Sequence, residues 1–209
     1  VLGDTTDTGT ITLGGAVNLN AATRVLTTAS DVVLSGSIAN GALTKAGTGT
    51  LILTGTNSYG ATTINAGTLN IGGGGATGSA GTGPITNNAA LVVDHSGTPT
   101  LGGAITGTGS LTVNGGGTVT LSGENEYTGT TTINGGTLVL SMAETYSTSH
   151  VGSLVTINAG GTLQANTYFG TGFAYGFASS GTPADITINA GGTFDKNGKA
   201  TYIKNLTMN

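Results

Sequence analysis

The sequence predicts a parallel β-helix, a solenoid of eight or nine rungs. Three observations predict it. Residues 47–69, GTGTLILTGTNSYGATTINAGTL, return almost unchanged at 115–138 as GGGTVTLSGENEYTGTTTINGGTL. A shorter unit, Thr-Ile-Asn-x-Gly-Thr-Leu in outline, recurs along the chain. Between glycines the residues alternate apolar and polar, and no run of helical length carries an apolar stripe at helical spacing.

The long repeat sets the period. Tyr59 and Tyr127 are 68 positions apart, as are Asn57 and Asn125, and one extra residue after Tyr127 leaves Ile64 and Ile133 69 apart. The short unit occupies 63–69, 132–138, 156–163 and 187–194, with degenerate copies at 112–119, 44–51 and 85–91. The second position of each copy falls at 45, 64, 85, 113, 133, 157 and 188, in steps of 19, 21, 28, 20, 24 and 31. The average step of about 24 lies in the range of solenoid repeats. On this spacing the long repeat is three turns of one coil.

Each turn is expected to hold two or three short strands. Leu51/Leu53, Leu111/Val113, Val119/Leu121 and Leu138/Leu140 place apolar residues two apart, the period of a half-buried strand. β-Branched Thr, Val and Ile favour the extended backbone, and Gly and Asn tolerate the positive φ of tight corners. One turn cannot bury its own apolar face. Stacked turns bury a continuous inner column of Leu, Ile and Val and leave Thr, Ser and Asn outside. At about 4.8 Å per rung the rod would be roughly 40 Å long. A propeller needs longer blades with aromatic signatures, and the chain has no Trp. Asn65, Asn134, Asn158 and Asn189 share one position of the short unit. Stacked in register, their side chains would form an amide ladder along one corner.

Composition narrows the function. Only 7% of the 209 residues are charged, against about 25% in ordinary soluble domains. Five Lys and Arg against nine Asp and Glu offer no basic surface for nucleic acid or anionic lipid. With no cysteine, stability must come from stacking rather than cross-links, which also suits a chain that crosses a membrane unfolded. There is no signal peptide and no apolar run of membrane length. The chain starts at Val1 and stops in mid-pattern at Asn209, so it reads as a fragment of a longer protein, one β-helical domain across 1–209.

The unit at 47–69 opens with Gly-x-Gly-Thr-Leu, continues through Leu-Thr-Gly-x-Asn-x-Tyr and closes with Thr-Ile-Asn-x-Gly-Thr-Leu. It resembles the autotransporter-associated repeat of passenger domains in Gram-negative type V secretion. The copy at 115–138 resembles it equally, through Leu121-Ser122-Gly123-Glu124-Asn125-Glu126-Tyr127. The resemblance implies a right-handed β-helix exported to the outer-membrane surface or beyond. It also implies a parent carrying a C-terminal outer-membrane β-barrel, and a role in adhesion, autoaggregation or biofilm formation. In the family the repeat is associated with passenger folding and secretion. The implied partners are a protein or glycan at the cell surface, or a second copy.

Specificity is expected where the repeat fails. Tyr168, Phe169, Phe173, Tyr175 and Phe177 place five of the ten aromatic residues in one glycine-rich stretch. It falls in the longest step, so 168–181 reads as a protruding loop whose rings either stack on sugars or a partner or fold back to cover the apolar side of the helix. Residues 141–153 form a second excursion, with Glu144, Tyr146 and His150 as polar features. No catalytic, metal or cofactor site is expected. Arg24, Lys45, Asp94 and Glu124 are scattered along the rod, and Asp94-His95 and Glu124-x-Glu126 read as surface decoration. Gly72–Gly75 lacks the Lys of a phosphate loop and reads as a corner. Two other functions compete with the non-enzymatic stalk. A polysaccharide-active enzyme would need acids converging on one face. An ice-binding solenoid would need an unbroken Thr-x-Thr array, and the Thr118/Thr120 and Thr130/Thr132 pairs lack counterparts in the first copy.

Overall fold

A computed structural model describes residues 2–3, 9–141, 151–166, 184–198, 203 and 205–209. Among them every regular element is a strand, and every strand pairing is parallel. The strands stack into three sheets, one of ten strands and two of five. This is a β-solenoid.

The ten-stranded sheet forms one wall along the whole coil. Its strands run from Ile11–Leu13 at one end to Asn205–Met208 at the other. One five-stranded sheet, from Val17–Thr27 to Ile105–Thr106, flanks the first half. The other, from Thr100–Leu101 to Thr193–Asp195, flanks the second half. The turn that starts at Ala90–Asp94 has all three walls. It passes through Thr100–Leu101, then Ile105–Thr106, and regains the long sheet at Ser110–Asn114. The cross-section is therefore three-sided. In the first turns Val17–Thr27 and Ile38–Ala46 bend around a corner in mid-strand. Positive φ at Asn20, Ala21, Asn40 and Gly41 makes the bend, and the register shifts between Asn18 and Ala22.

The core follows from the alternation. Val32, Leu51, Leu69, Leu91, Leu111, Thr131, Val155 and Ile186 stack in one inward column of the long sheet. Leu34, Leu53, Ile71, Val93, Val113, Ile133, Ile157 and Ile188 stack in the next. Both columns are buried apart from the half-buried Ile188. Each apolar side chain in them contributes about 1.5–3 kcal/mol by leaving water.

The register corrects the expected period. Leu51 pairs with Leu69, Leu69 with Leu91 and Leu91 with Leu111, so three turns of the long sheet end at Leu111, well short of the length of the long repeat. The remainder of the repeat carries the chain across one further wall. The two long copies are thus three and one-third turns apart, on neighbouring walls. Thr50–Leu53, in the first copy, belongs to the long sheet, whereas its counterpart Thr118–Leu121 belongs to the second five-stranded sheet. Likewise Thr62–Ile64 lies in the first five-stranded sheet, and Thr131–Ile133 in the long one. The long step between positions 85 and 113 is this displacement. Ile85 pairs with Ile105, one turn on, and Val113 lies beyond it on the next wall. The steps from 133 to 157 and from 157 to 188, by contrast, are true lengthenings. Thr131 pairs with Val155, and Val155 with Ile186, in unbroken register.

Candidate functional site

The Asn-x-Tyr segment of the long repeat builds the same buried network on both walls. In the first copy the Asn57 Oδ1 accepts from the Ile38 amide at 2.8 Å, and its Nδ2 donates to the Ser79 carbonyl at 2.7 Å. In the second, the Asn125 Oδ1 accepts from the Ile105 amide at 3.0 Å, and its Nδ2 donates to the Gly123 carbonyl at 2.9 Å. Each Oδ1 thus satisfies an amide of the preceding rung, beside the backbone bonds from Ser58 to Ile38 and from Glu126 to Ile105, while the Nδ2 reaches the next rung in the first copy and its own segment in the second. Tyr59 and Tyr127 are fully buried beside them. Thr62 Oγ1 donates to the Ala80 carbonyl at 2.6 Å and lies 3.2 Å from the Tyr59 hydroxyl. Thr131 Oγ1 donates to the Val151 carbonyl at 2.8 Å and lies 2.6 Å from the Tyr127 hydroxyl. The extra residue of the second copy is absorbed between Tyr and Thr without changing the contact. Burial pushes the Tyr59 phenol up to about 12 and raises that of Tyr127 as well. Repetition marks these residues in the sequence, but repetition alone does not say which way they point.

The shared asparagine position divides between two corners. Asn158 Nδ2 donates to Asn134 Oδ1 at 2.6 Å, and Asn189 Nδ2 donates to Asn158 Oδ1 at 2.6 Å. The chain of amides continues from Asn134 to Asn114 at 2.9 Å and from Asn209 to Asn189 at 2.8 Å. Asn65 stands elsewhere. It leaves the first five-stranded sheet, and its amide donates to the Lys45 carbonyl at 2.9 Å. The one-third-turn displacement puts it on a different corner from Asn134, which corrects the expected four-membered set. Asn114 and Asn209 take places that the short unit does not assign.

Among the described residues two basic side chains also lie inside the wall. Lys45 is fully buried where Leu26 and Ile64 stand in the adjacent rungs. Its Nζ donates to the carbonyls of Ala46, Gly47 and Ala66 at 3.0, 2.8 and 3.0 Å, closing a corner. Loss of hydration lowers its pKa to about 8. His95 is 4% exposed, and its Nδ1 accepts from the Gly97 amide at 2.9 Å. Burial lowers the His95 pKa. This overturns the expectation of Asp94-His95 as surface decoration, for the His95 half. His95 lines a cleft of about 270 Å³.

The other singled-out groups remain apart. Arg24 is exposed while Lys45, one rung on, is buried. Asp94 lies in the long sheet. Glu124 and Glu126 are exposed and alternate with buried Gly123, Asn125 and Tyr127. Among the described residues no three His, Asp or Glu side chains gather as metal ligands. Tyr168, Phe169, Phe173, Tyr175 and Phe177, like Glu144, Tyr146 and His150, lie outside the described residues.

Comparison with known proteins gives the coil its class. Residues 43–71 and 111–140 match the passenger-associated-transport-repeat. Each matched segment spans the Asn-x-Tyr network and the strands on either side of it. The chain carries autotransporter passenger repeats on a β-solenoid. It is 43% identical over 99 residues to the adhesin BmaC autotransporter of Brucella suis biovar 1 (strain 1330). That stretch is 46% of this chain but 3% of the relative. No solved structure matches the chain significantly.

Proposed function

We propose that the chain is a non-enzymatic stalk segment of a surface-exposed autotransporter passenger, which presents its irregular segments for adhesion or autoaggregation. The observation that carries this reading is the passenger repeat, present twice within one continuous solenoid. The adhesin relative supports it, although the chain spans only 3% of that protein's length. A coil of this kind also suits export through the parent's own barrel. Each rung supplies the edge on which the next one pairs, so folding can proceed stepwise outside and oppose backsliding. Partners would be a protein or glycan at the cell surface, or a second passenger, met at 141–153 and 168–181.

The competing readings find less support. A polysaccharide-active enzyme needs facing carboxylates about 5–10 Å apart across a substrate; Glu124 and Glu126 lie side by side on one exposed face rather than across a groove, and Asp94 lies apart from them in the long sheet. An ice-matching plane needs two parallel hydroxyl columns on one face. The column Thr118, Thr137, Thr162 and Thr193 is unbroken, but its neighbour two residues on runs Thr120, Val139, Gln164 and Asp195.

The test is display of the parent passenger in its native host, with residues 168–181 replaced by a Gly-Ser linker. The reading expects unchanged surface display and reduced clumping or matrix binding. Undiminished clumping and matrix binding would remove the adhesive role from that segment. A second variant, Tyr59→Ala with Tyr127→Ala, should reduce surface display itself; full display would contradict the aid to export.

A further inference from the structure

The His95 cleft lies in the wall itself, between residues 76–79 and the strand Thr100–Leu101. It opens where the turn beginning at Thr68–Ile71 bulges through Gly72–Gly75 before rejoining the coil. The bulge is fixed rather than slack. The Gly74 amide donates to the Asp94 carbonyl at 2.7 Å, and the Ser96 amide donates to the Gly75 carbonyl at 2.9 Å. Thr56, Thr77, Thr98 and Thr100 line the cleft with His95 and Pro99. None of the four threonine hydroxyls has a hydrogen-bond partner among the described residues. Because the Gly97 amide is held by Nδ1 of His95, the neutral imidazole carries its proton on Nε2 and presents a donor there.

We propose that this cleft binds one neutral pyranose unit of a glycan, a hexose or N-acetylhexosamine. The lining contains no charged side chain. An ionic ligand would shed its hydration there without compensation. Free hydroxyls both donate and accept, which matches the adjacent hydroxyls of a sugar, and the imidazole N–H adds a fixed donor. The half-buried Pro99 ring supplies an apolar surface for the C–H face of the sugar. The volume, about 270 Å³, lies just below the range of about 300–1,000 Å³ usual for ligand pockets and has room for one ring. The site deepens the adhesive reading and depends on it only for where the glycan would be met.

The test is a titration of the full 209-residue chain with glucose, galactose, mannose and N-acetylglucosamine at millimolar concentrations. The His95 ring proton resonances report binding. The proposal expects at least one of these sugars to move them. Thr98→Val with Thr100→Val should weaken that binding at least about tenfold and leave the thermal midpoint unchanged. Silence with all four sugars would overturn it, as would a response that survives both substitutions. A response to galacturonic acid equal to that with galactose would also overturn it. Because the titration needs neither export nor cells, its failure would leave the stalk reading standing, and a failure of display would leave the cleft standing.

Discussion

Asn158 both donates and accepts in a run of five side-chain amides, each one rung from the next. Removing it breaks two of those hydrogen bonds on a partly exposed corner. Asn158→Ala is expected to cost about 1–2 kcal/mol in chemical or thermal unfolding, while Asn65→Ala, off that corner, costs under about 0.5 kcal/mol. Equal losses would mean that the amide run adds nothing. Lys45 makes a different prediction at this scale. Its pKa of about 8 in the fold lies below the ordinary lysine value of 10.5. Between those values the unfolded chain binds more protons, so stability rises as pH rises. The gain is limited to about 1.4 kcal/mol per pH unit for one proton. Tyr59 acts in the opposite sense. Held at about 12 against 10.0, it loses stability as pH rises above 10. Stability should therefore climb from about pH 8 and turn over near pH 10. Lys45→Met should abolish the climb, and a climb that persists would assign it to other groups.

At the scale of the repeat, equivalent corners should respond alike although they stand on different walls. Gly67 and Gly136 close the corner after the Thr-Ile-Asn strand in each copy, with φ of 67° and 66°. A Cβ on Gly67 would collide with the Gly47 and Gly49 carbonyls, and one on Gly136 with the Gly117 carbonyl. Gly67→Ala and Gly136→Ala should each destabilise by more than about 1 kcal/mol, measured by denaturant midpoint, and by similar amounts. Much of this level is legible in the sequence. Leu51/Leu53 and Leu111/Val113 announce strands because inward and outward positions alternate in hydrophobicity. Three things are hidden there, each for a physical reason. Tyr59 and Tyr127 look amphipathic, and their burial depends on Thr62 and Thr131 meeting their hydroxyls. Lys45 reads as a surface residue, because only the folded corner brings three carbonyls to its ammonium. His95 reads as a surface residue too, because the Gly72–Gly75 bulge beside it has no pattern of its own.

At the scale of the molecule, the sequence predicts the solenoid but not its phase. The step from 85 to 113 reads equally as one long turn or as one ordinary turn plus a wall, and only strand register separates them. The displacement has a consequence for the coil. Where the pattern moves on by a wall, one five-stranded sheet ends at Ile105–Thr106 and the other begins at Thr100–Leu101, while the long sheet continues unbroken. The rod thus changes which sides are strand-lined without interrupting its core. This phase is the central claim, and the absence of cysteine from the chain makes it directly testable. Asp94 and Asn114 are register partners on neighbouring strands of the long sheet. Their Cα atoms should lie about 4.8 Å apart, within the span of a disulfide. Had the short units stacked in phase, Thr86 would lie beside Asn114 instead; it pairs with Thr106 on another wall. Mild oxidation of two double-cysteine variants decides between them. Asp94→Cys with Asn114→Cys should form an intramolecular disulfide, and Thr86→Cys with Asn114→Cys should not; the reverse result would contradict the one-third-turn displacement.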